Sequence, residues 1–284
     1  MKLFAAFWSF AVLTAIMPVF ASAPALADGA ENRDIALRAL SEVFDGRDDG
    51  AIDALYHPDY VGHAPAVAAG RAGLREFVIG MRDKGAPARR EIARVLVQGN
   101  LAGVHSRVGA GENAVIAGDM FRFRDGKIIE HWATVQKETP KSETASGNSM
   151  IDGGGDADIE ISNMDLARNT TNAVEFFARG IAGDTAVLER LFGGEYIQHN
   201  PGFPDGGEAI IEFFKGGDGT LGNVIVHQTI SDGDMTMALV EYADWGNAVV
   251  EIVRHDKNGR IVEHWDVIQP IPAAEDFAHD NGMF

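Results

Sequence analysis

Hydrophobic positions recur along this chain with two periods, and the order of the periods occurs twice. In the second half, Leu166, Ala173, Val174, Phe177 and Ile181 fall at helical spacing behind Ser162 and Asp165 as caps, and Gly183 ends the run. Asp184 can cap a second predicted helix, Thr185 to Phe192. A short strand over Tyr196 to His199 and a third helix over Glu208 to Lys215 follow. The period then drops to two. Runs 223–231, 235–243, 246–255 and 260–269 read as strands, with Val224, Val226, Gln228 and Ile230 on alternate positions and turn residues at Gly233-Asp234 and Asn258-Gly259. The first half repeats the order, with helices at 33–45, 50–56 and 71–82 and strands near 90–98, 100–108, 113–123 and 127–136. Helices followed by consecutive antiparallel strands predict an α+β domain of two layers. A curved sheet with helices on its concave side leaves a pocket between them.

The repetition reaches individual residues. Tyr60-Val61-Gly62-His63-Ala64-Pro65 matches Tyr196-Ile197-Gln198-His199-Asn200-Pro201 at an offset of 136. Gly126-Lys127-Ile128-Ile129-Glu130-His131-Trp132 matches Gly259-Arg260-Ile261-Val262-Glu263-His264-Trp265 at an offset of 133. A period this long is a duplicated domain, not a solenoid unit. The predicted organisation is a leader at 1–27, a first domain at 28–138, a flexible linker at 139–163 and a second domain at 164–284. The linker is rich in Ser, Thr, Gly and Asp, and its Asp152–Asp158 run lacks EF-hand spacing. The sequon Asn169-Thr170-Thr171 falls inside a predicted helix.

The leader reads as an address. Lys2 precedes an apolar run, Leu3 to Phe20, and Ala25-Leu26-Ala27 is the small-x-small pattern of a signal-peptidase site. The expectation is a periplasmic or secreted protein cleaved after Ala27. No later segment is apolar enough to span a membrane.

Composition narrows the chemistry. The 284 residues carry a formal charge of −18 and no cysteine. An acidic chain repels phosphates, so a nucleic-acid partner is not expected. Without cysteine there are no disulfides, thiolate nucleophiles or Cys-based metal sites. The acidity is uneven: residues 28–138 hold 15 basic and 17 acidic side chains, whereas residues 139–284 hold 8 and 25. No Gly-rich phosphate loop is present, so no cofactor is implied. No metal is assigned, because the His and carboxylate residues show no diagnostic ligand spacing.

The two matched segments, with Asp266-Val267-Ile268-Gln269-Pro270 closing the second, resemble SnoaL-like proteins of the nuclear transport factor 2-like superfamily. The resemblance implies two tandem α+β cones, each with about three N-terminal helices on a curved antiparallel sheet, paired through their sheets within one chain. It implies little about activity, because this superfamily holds cyclases, isomerases, dehydratases and non-enzymes. In the polyketide cyclases an aspartate in the last strand is the acid–base residue, and by motif Asp266 matches it. A histidine one strand earlier aligns with Glu251. In the first copy these positions read Asp119 and Ala133, and Ala64 replaces Asn200, so that copy is expected to be degraded as a catalyst.

Strand alternation, taken alone, puts His264 and Asp266 on one face and Glu263 and Trp265 on the other. The candidate catalytic set is Asp266, His264 and Glu251. The candidate ligand-binding set is Tyr196, His199, Asn200 and Trp265. Each also has a structural use: His264 as a satisfied buried hydrogen-bonding group, Trp265 as sheet packing, His199 as a tie for the turn before the third helix. The leading expectation is a cofactor-independent acid–base enzyme acting on a small apolar carbonyl compound. The alternative is a non-catalytic small-ligand-binding protein with its pocket in the second cone.

Overall fold

The computed structural model describes residues 29–82, 84, 89–154, 164–215 and 221–284; the expected leader lies outside them. The first domain opens with α1 (Gly29–Arg38), which continues through a widened π-type turn to Asp45, and α2 (Ile52–Leu55). It goes on with β1 (Tyr56–Gly62), α3 (Gly70–Arg82), β2 (Arg90–Gln98), β3 (Leu101–Val108), β4 (Val115–Arg124) and β5 (Lys127–Lys137). The second domain repeats this with α4 (Leu166–Glu175, widening through Gly180), α5 (Thr185–Leu191), β6 (Phe192–Gln198) and α6 (Gly207–Lys215). Its remaining strands are β7 (Val224–Asp232), β8 (Met235–Tyr242), β9 (Asn247–His255) and β10 (Ile261–Pro270). Asp165 caps α4 by accepting the Arg168 amide at 3.0 Å. Asn169 is fully buried within that helix, which leaves its sequon out of reach of a glycan.

The sheets are five-stranded, ordered β1-β5-β4-β3-β2 and β6-β10-β9-β8-β7. Four strands of each run antiparallel, as the hairpin turns predict, while β1 and β6 join parallel to β5 and β10. Parallel entry follows from the connection: α3 or α6 carries the chain from the joining strand across to the far edge of the sheet. Each domain keeps an apolar core between helices and sheet, around Phe176, Phe177 and Leu188 in the second and Leu40, Ile52 and Val78 in the first.

A third core joins the two sheets face to face, with Ile116, Met120 and Trp132 meeting Met237, Ile252 and Trp265. A fully buried side chain of this kind contributes about 1.5–3 kcal/mol. Close approach needs glycine at two points. A Cβ on Gly118 would lie 2.6 Å from Val250 Cβ, and one on Gly103 would strike Met237 Sδ. The seam is two-fold in character. Gln136 Oε1 accepts the Ile268 amide and Gln269 Oε1 accepts the Val135 amide, both at 2.9 Å. At the other end, Gln98 Oε1 accepts the Ser231 amide and Asp232 Oδ2 accepts the Val97 amide, again at 2.9 Å.

The segment expected as a loose linker differs from expectation over residues 139–154. Met150 and Ile151 are buried in the seam core, and the carbonyls of Ile151, Asp152 and Gly153 accept Arg94 Nη2 at 3.1–3.2 Å. Its polar composition is used for backbone capping, as where Thr144 Oγ1 donates to the Asn148 carbonyl. Residues 155–163 lie outside the described set.

Candidate functional site

The second domain encloses a cavity of about 190 Å³ between α4, α6 and the concave sheet face. Phe176, Ile210 and Phe214 wall it from the helices, and Phe213 and Trp245, 40% and 51% exposed, stand at its solvent side. Polar side chains converge from β6, β8, β9 and β10. Alternation decides which: Tyr196, Gln198 and Asn200 share one parity, and His264 and Asp266 another, and all five line the cavity. Glu251 reaches it because β9 pairs Glu251 directly with Asp266.

The hydrogen bonds among these groups fix their proton positions. Gln198 Oε1 accepts the Asn200 backbone amide at 2.8 Å, which orients the carboxamide so that its Nε2 donates to Tyr196 Oη at 3.2 Å. The same Oε1 lies 2.9 Å from His264 Nδ1, so that nitrogen must donate. The other ring nitrogen, Nε2, lies 2.6 Å from Glu251 Oε2, and Tyr242 donates its hydroxyl to Glu251 Oε1. One proton therefore lies between Glu251 and His264. Burial pushes the Glu251 carboxyl up and the His264 imidazole down. Both directions favour the neutral pair, with a carboxylic acid donating to an unprotonated Nε2.

Asp266 stands apart from that pair. Asn200 accepts the Gly202 amide at its Oδ1 and so presents Nδ2 to Asp266 Oδ2, at 2.6 Å. Asp266 Oδ1 is buried with no hydrogen-bond partner among the described residues. Burial raises its pKa to about 6; the nearby His264 opposes that rise and Glu251 adds to it. Tyr196, which lines the same cavity, is pushed well above its ordinary value by burial and by the carboxyls of Glu251 and Asp266.

Glu251, His264 and Asp266 can bring ligand atoms within 4.8 Å of one another, a spacing open to a cation. Their lone pairs are already committed, however. Both His264 nitrogens and both Glu251 oxygens are bonded, leaving Asp266 Oδ1 as the open position, so a cation would have to displace the Glu251–His264 bond.

Two of the expected ligand-binding residues lie elsewhere. His199 and Trp265 point to the opposite sheet face, where their rings stack at 4.7 Å. His199 contacts Glu263 at 2.9 Å, Trp265 Nε1 donates to the Asp152 carbonyl, and Arg94 lies 4.0 Å over the indole. They belong to the domain seam, because each is one residue out of phase with the cavity face. Glu263 ionises more readily than usual: burial opposes this, but bonds from His199 and Arg254 outweigh it. Gln198, Tyr242 and Asn247 line the cavity without having been expected. The parity of Gln198 with Tyr196 and Asn200 was its available signal; Tyr242 reaches Glu251 across a hairpin and left none.

The first domain keeps a cavity of about 290 Å³ with different chemistry. His131 donates to Asp119 at 2.9 Å, and Arg90 bridges Asp45 at 3.0 Å and Asp119 at 3.7 Å. Ala133 and Gly62 stand where the second domain has Asp266 and Gln198; the carboxylate lining this cavity is instead Asp119, whose Oδ2 is buried without a hydrogen-bond partner among the described residues and lies 3.7 Å from Arg90.

Residues 37–131 match the family model of the SnoaL-like domain. The chain carries a SnoaL-like domain. The second domain repeats the strand order of the first. Among solved structures, the chain is similar to TsrD from Streptomyces laurentii, at 20% identity over 38% of this chain and 90% of that one, with a TM-score of 0.34. A candidate SnoaL-like polyketide cyclase from Jannaschia Sp. CCS1 is similar at 20% identity over 38% and 87%, with a TM-score of 0.33. An NTF-2 like protein from Burkholderia xenovorans LB400 is similar at 21% identity over 38% and 86%, with a TM-score of 0.33. No curated protein matches the chain. Among the described residues, no helix is long and apolar enough to cross a membrane.

Proposed function

We propose that the second cone binds a small, mostly apolar carbonyl compound and moves a proton on it, in a cyclisation, isomerisation or dehydration. The observation that carries this reading is the divided carboxylate of Asp266: one oxygen held by Asn200, the other buried, open and unpartnered among the described residues at the cavity wall. A carboxyl shifted to about 6 can take a proton from an acidic C–H and return it near neutral pH. Tyr196 supplies the donor to the oxyanion that forms as that proton leaves, since its own proton has no partner among the described residues. Glu251 and His264 share one proton beside Asp266 and shift its pKa in opposite directions, His264 downward and Glu251 upward, so the pair leaves that pKa near neutral. The apolar helix wall suits a hydrophobic ring system, and the proposed export on residues 1–27 puts the reaction outside the cytoplasm.

The test uses 2-tetralone as a probe and follows exchange of its α-hydrogens in D2O by NMR. The full protein should accelerate exchange over buffer, and Asp266→Asn should lower the rate by about 10²–10⁴-fold with binding retained, the usual worth of a general base. Equal exchange by Asp266→Asn would remove the acid–base assignment. Binding without exchange by either protein would favour the non-catalytic ligand carrier.

A further inference from the structure

The duplicated unit is longer than its strands. After β5 the chain forms a 3₁₀ turn at Lys141–Glu143, and after β10 an equivalent turn at Ala274–Asp276. Beyond these turns Ala145, Asn148 and Met150 correspond to Ala278, Asn281 and Met283 at the same offset of 133 that relates the last strands. Each tail crosses to the other domain. The Ala145 amide donates to the Pro201 carbonyl and the Ala278 amide to the Pro65 carbonyl, both at 2.9 Å. Asn148 Nδ2 donates to the Gln198 carbonyl at 3.1 Å, and Asn281 Nδ2 to the Gly62 carbonyl at 2.9 Å. His199 Nδ1 donates to the Ser149 carbonyl, and His63 Nδ1 to the Gly282 carbonyl. The two domains are strapped reciprocally, each by the tail of the other.

The straps grip equivalent turns with unequal consequences. In the second domain Asn148 also donates to Asp205 Oδ1 at 2.8 Å, and that same oxygen accepts the Gln198 amide at 2.8 Å. The Gln198 peptide is thus pinned at its carbonyl by Asn148 and at its nitrogen by Asp205. The Gln198 side chain is what orients His264 and accepts the Asn200 amide. In the first domain the gripped residue is Gly62, which has no side chain to pass anything on.

We propose that Asn148, a residue of the first domain's tail, is a positioning residue for the second domain's cavity: by holding Gln198 it fixes His264 as the Nδ1–H tautomer. The consequence for turnover rests on the acid–base reading above, whereas the tautomer itself does not. Asn281 supplies the matched control, because it makes the same strap contact over Gly62.

The experiment records long-range ¹⁵N–¹H spectra of the histidine rings in the full-length protein, comparing Asn148→Ala and Asn281→Ala with the parent. The parent should show His264 as a single Nδ1–H tautomer. Asn148→Ala should shift its ring nitrogens toward the tautomer average seen in Gln198→Ala, and Asn281→Ala should leave them in place. Tetralone exchange should fall about tenfold in Asn148→Ala, chiefly in kcat, and stay at the parental rate in Asn281→Ala. Should Asn148→Ala fail to fold, Asn148→Ser, too short to reach Gln198, carries the same expectation. Unchanged His264 nitrogens in the folded strap variant would overturn the proposal, as would an equal shift in Asn281→Ala, which would mean general loosening of the seam. If the His264 shift appears while no protein exchanges tetralone, the positioning role stands and the acid–base reading fails.

Discussion

Asn200 holds one oxygen of Asp266 at 2.6 Å and leaves the other with no partner among the described residues. The arrangement costs stability when the carboxylate is charged, and the cost has a pH signature. The Asp266 pKa is raised from 3.8 to about 6 in the fold. From about pH 4 to 6 the unfolded chain releases this proton while the folded chain keeps it, so the folded state binds more protons and stability falls as pH rises. Above about 6 both states are ionised and the full penalty remains, about 3 kcal/mol, because each tenfold change in proton affinity between the two states is worth about 1.4 kcal/mol. Asp266→Asn keeps the Asn200 bond through its own carbonyl oxygen and has nothing to ionise. Urea unfolding should show the variant gaining on the parent by about 1–3 kcal/mol between pH 4.5 and 7.5. A difference between the two proteins that does not change with pH would contradict the buried, open carboxylate.

The neutral form assigned to Glu251 and His264 leads to a second expectation. In Glu251→Gln the amide nitrogen can donate to His264 Nε2 while the carbonyl still accepts the Tyr242 hydroxyl. Its stability at pH 7 should lie within about 1 kcal/mol of the parent. Glu251→Ala leaves both partners buried and unsatisfied, each costing about 1–3 kcal/mol. Were Gln as damaging as Ala by denaturant unfolding, the parent pair would have to be ionic, because Gln preserves the hydrogen bonds and lacks only the charge.

Much of this was legible in the chain because two simple periods govern it. The eight-residue to eleven-residue hairpin strands and the hairpin glycines were readable, and strand parity put His264 and Asp266 on one face, which the family resemblance made the concave one. The same parity, applied to Trp265 and to His199 beside Gln198, assigns both to the seam; a family motif names neighbouring residues together without regard to face. The parallel pairing of β1 and β6 was not legible, since a parallel partner lies far away in sequence and leaves no turn signal. Nor were the straps: Ala145, Asn148 and Met150 are three matches in a polar stretch, and polar composition describes a backbone-capping segment as readily as a tether.

Export is a prediction about the terminus alone. The small-x-small pattern at Ala25-Leu26-Ala27 sets cleavage before Asp28. Intact mass and N-terminal sequencing of material recovered outside the cytoplasm should give a chain beginning at Asp28. A full-length protein confined to the cytoplasm would overturn the proposed location.

The seam supplies the last prediction. Gly118 lies at the seam, with the isopropyl group of Val250 filling the space a side chain would need. Gly118→Ala puts a methyl carbon about 2.6 Å from Val250 Cβ, well inside contact distance, and no Val250 rotamer moves that carbon, so the sheets must separate. Overpacking of this kind costs about 1–3 kcal/mol. Val250→Ala alone should cost about 1–3 kcal/mol as well, by opening a void. In the double variant the contacts with Val250 Cγ1 and Cγ2, at 2.8 and 3.0 Å, are gone, and only the contact with the retained Cβ is left for the sheets to absorb. The double variant should therefore be more stable than the sum of the single effects by at least about 1 kcal/mol, a coupling expected only of residues in direct contact. Strict additivity in denaturant unfolding would mean that the sheets do not meet at this point in solution. The second cone's cavity lies on the far side of its sheet, so tetralone binding should survive in all three variants.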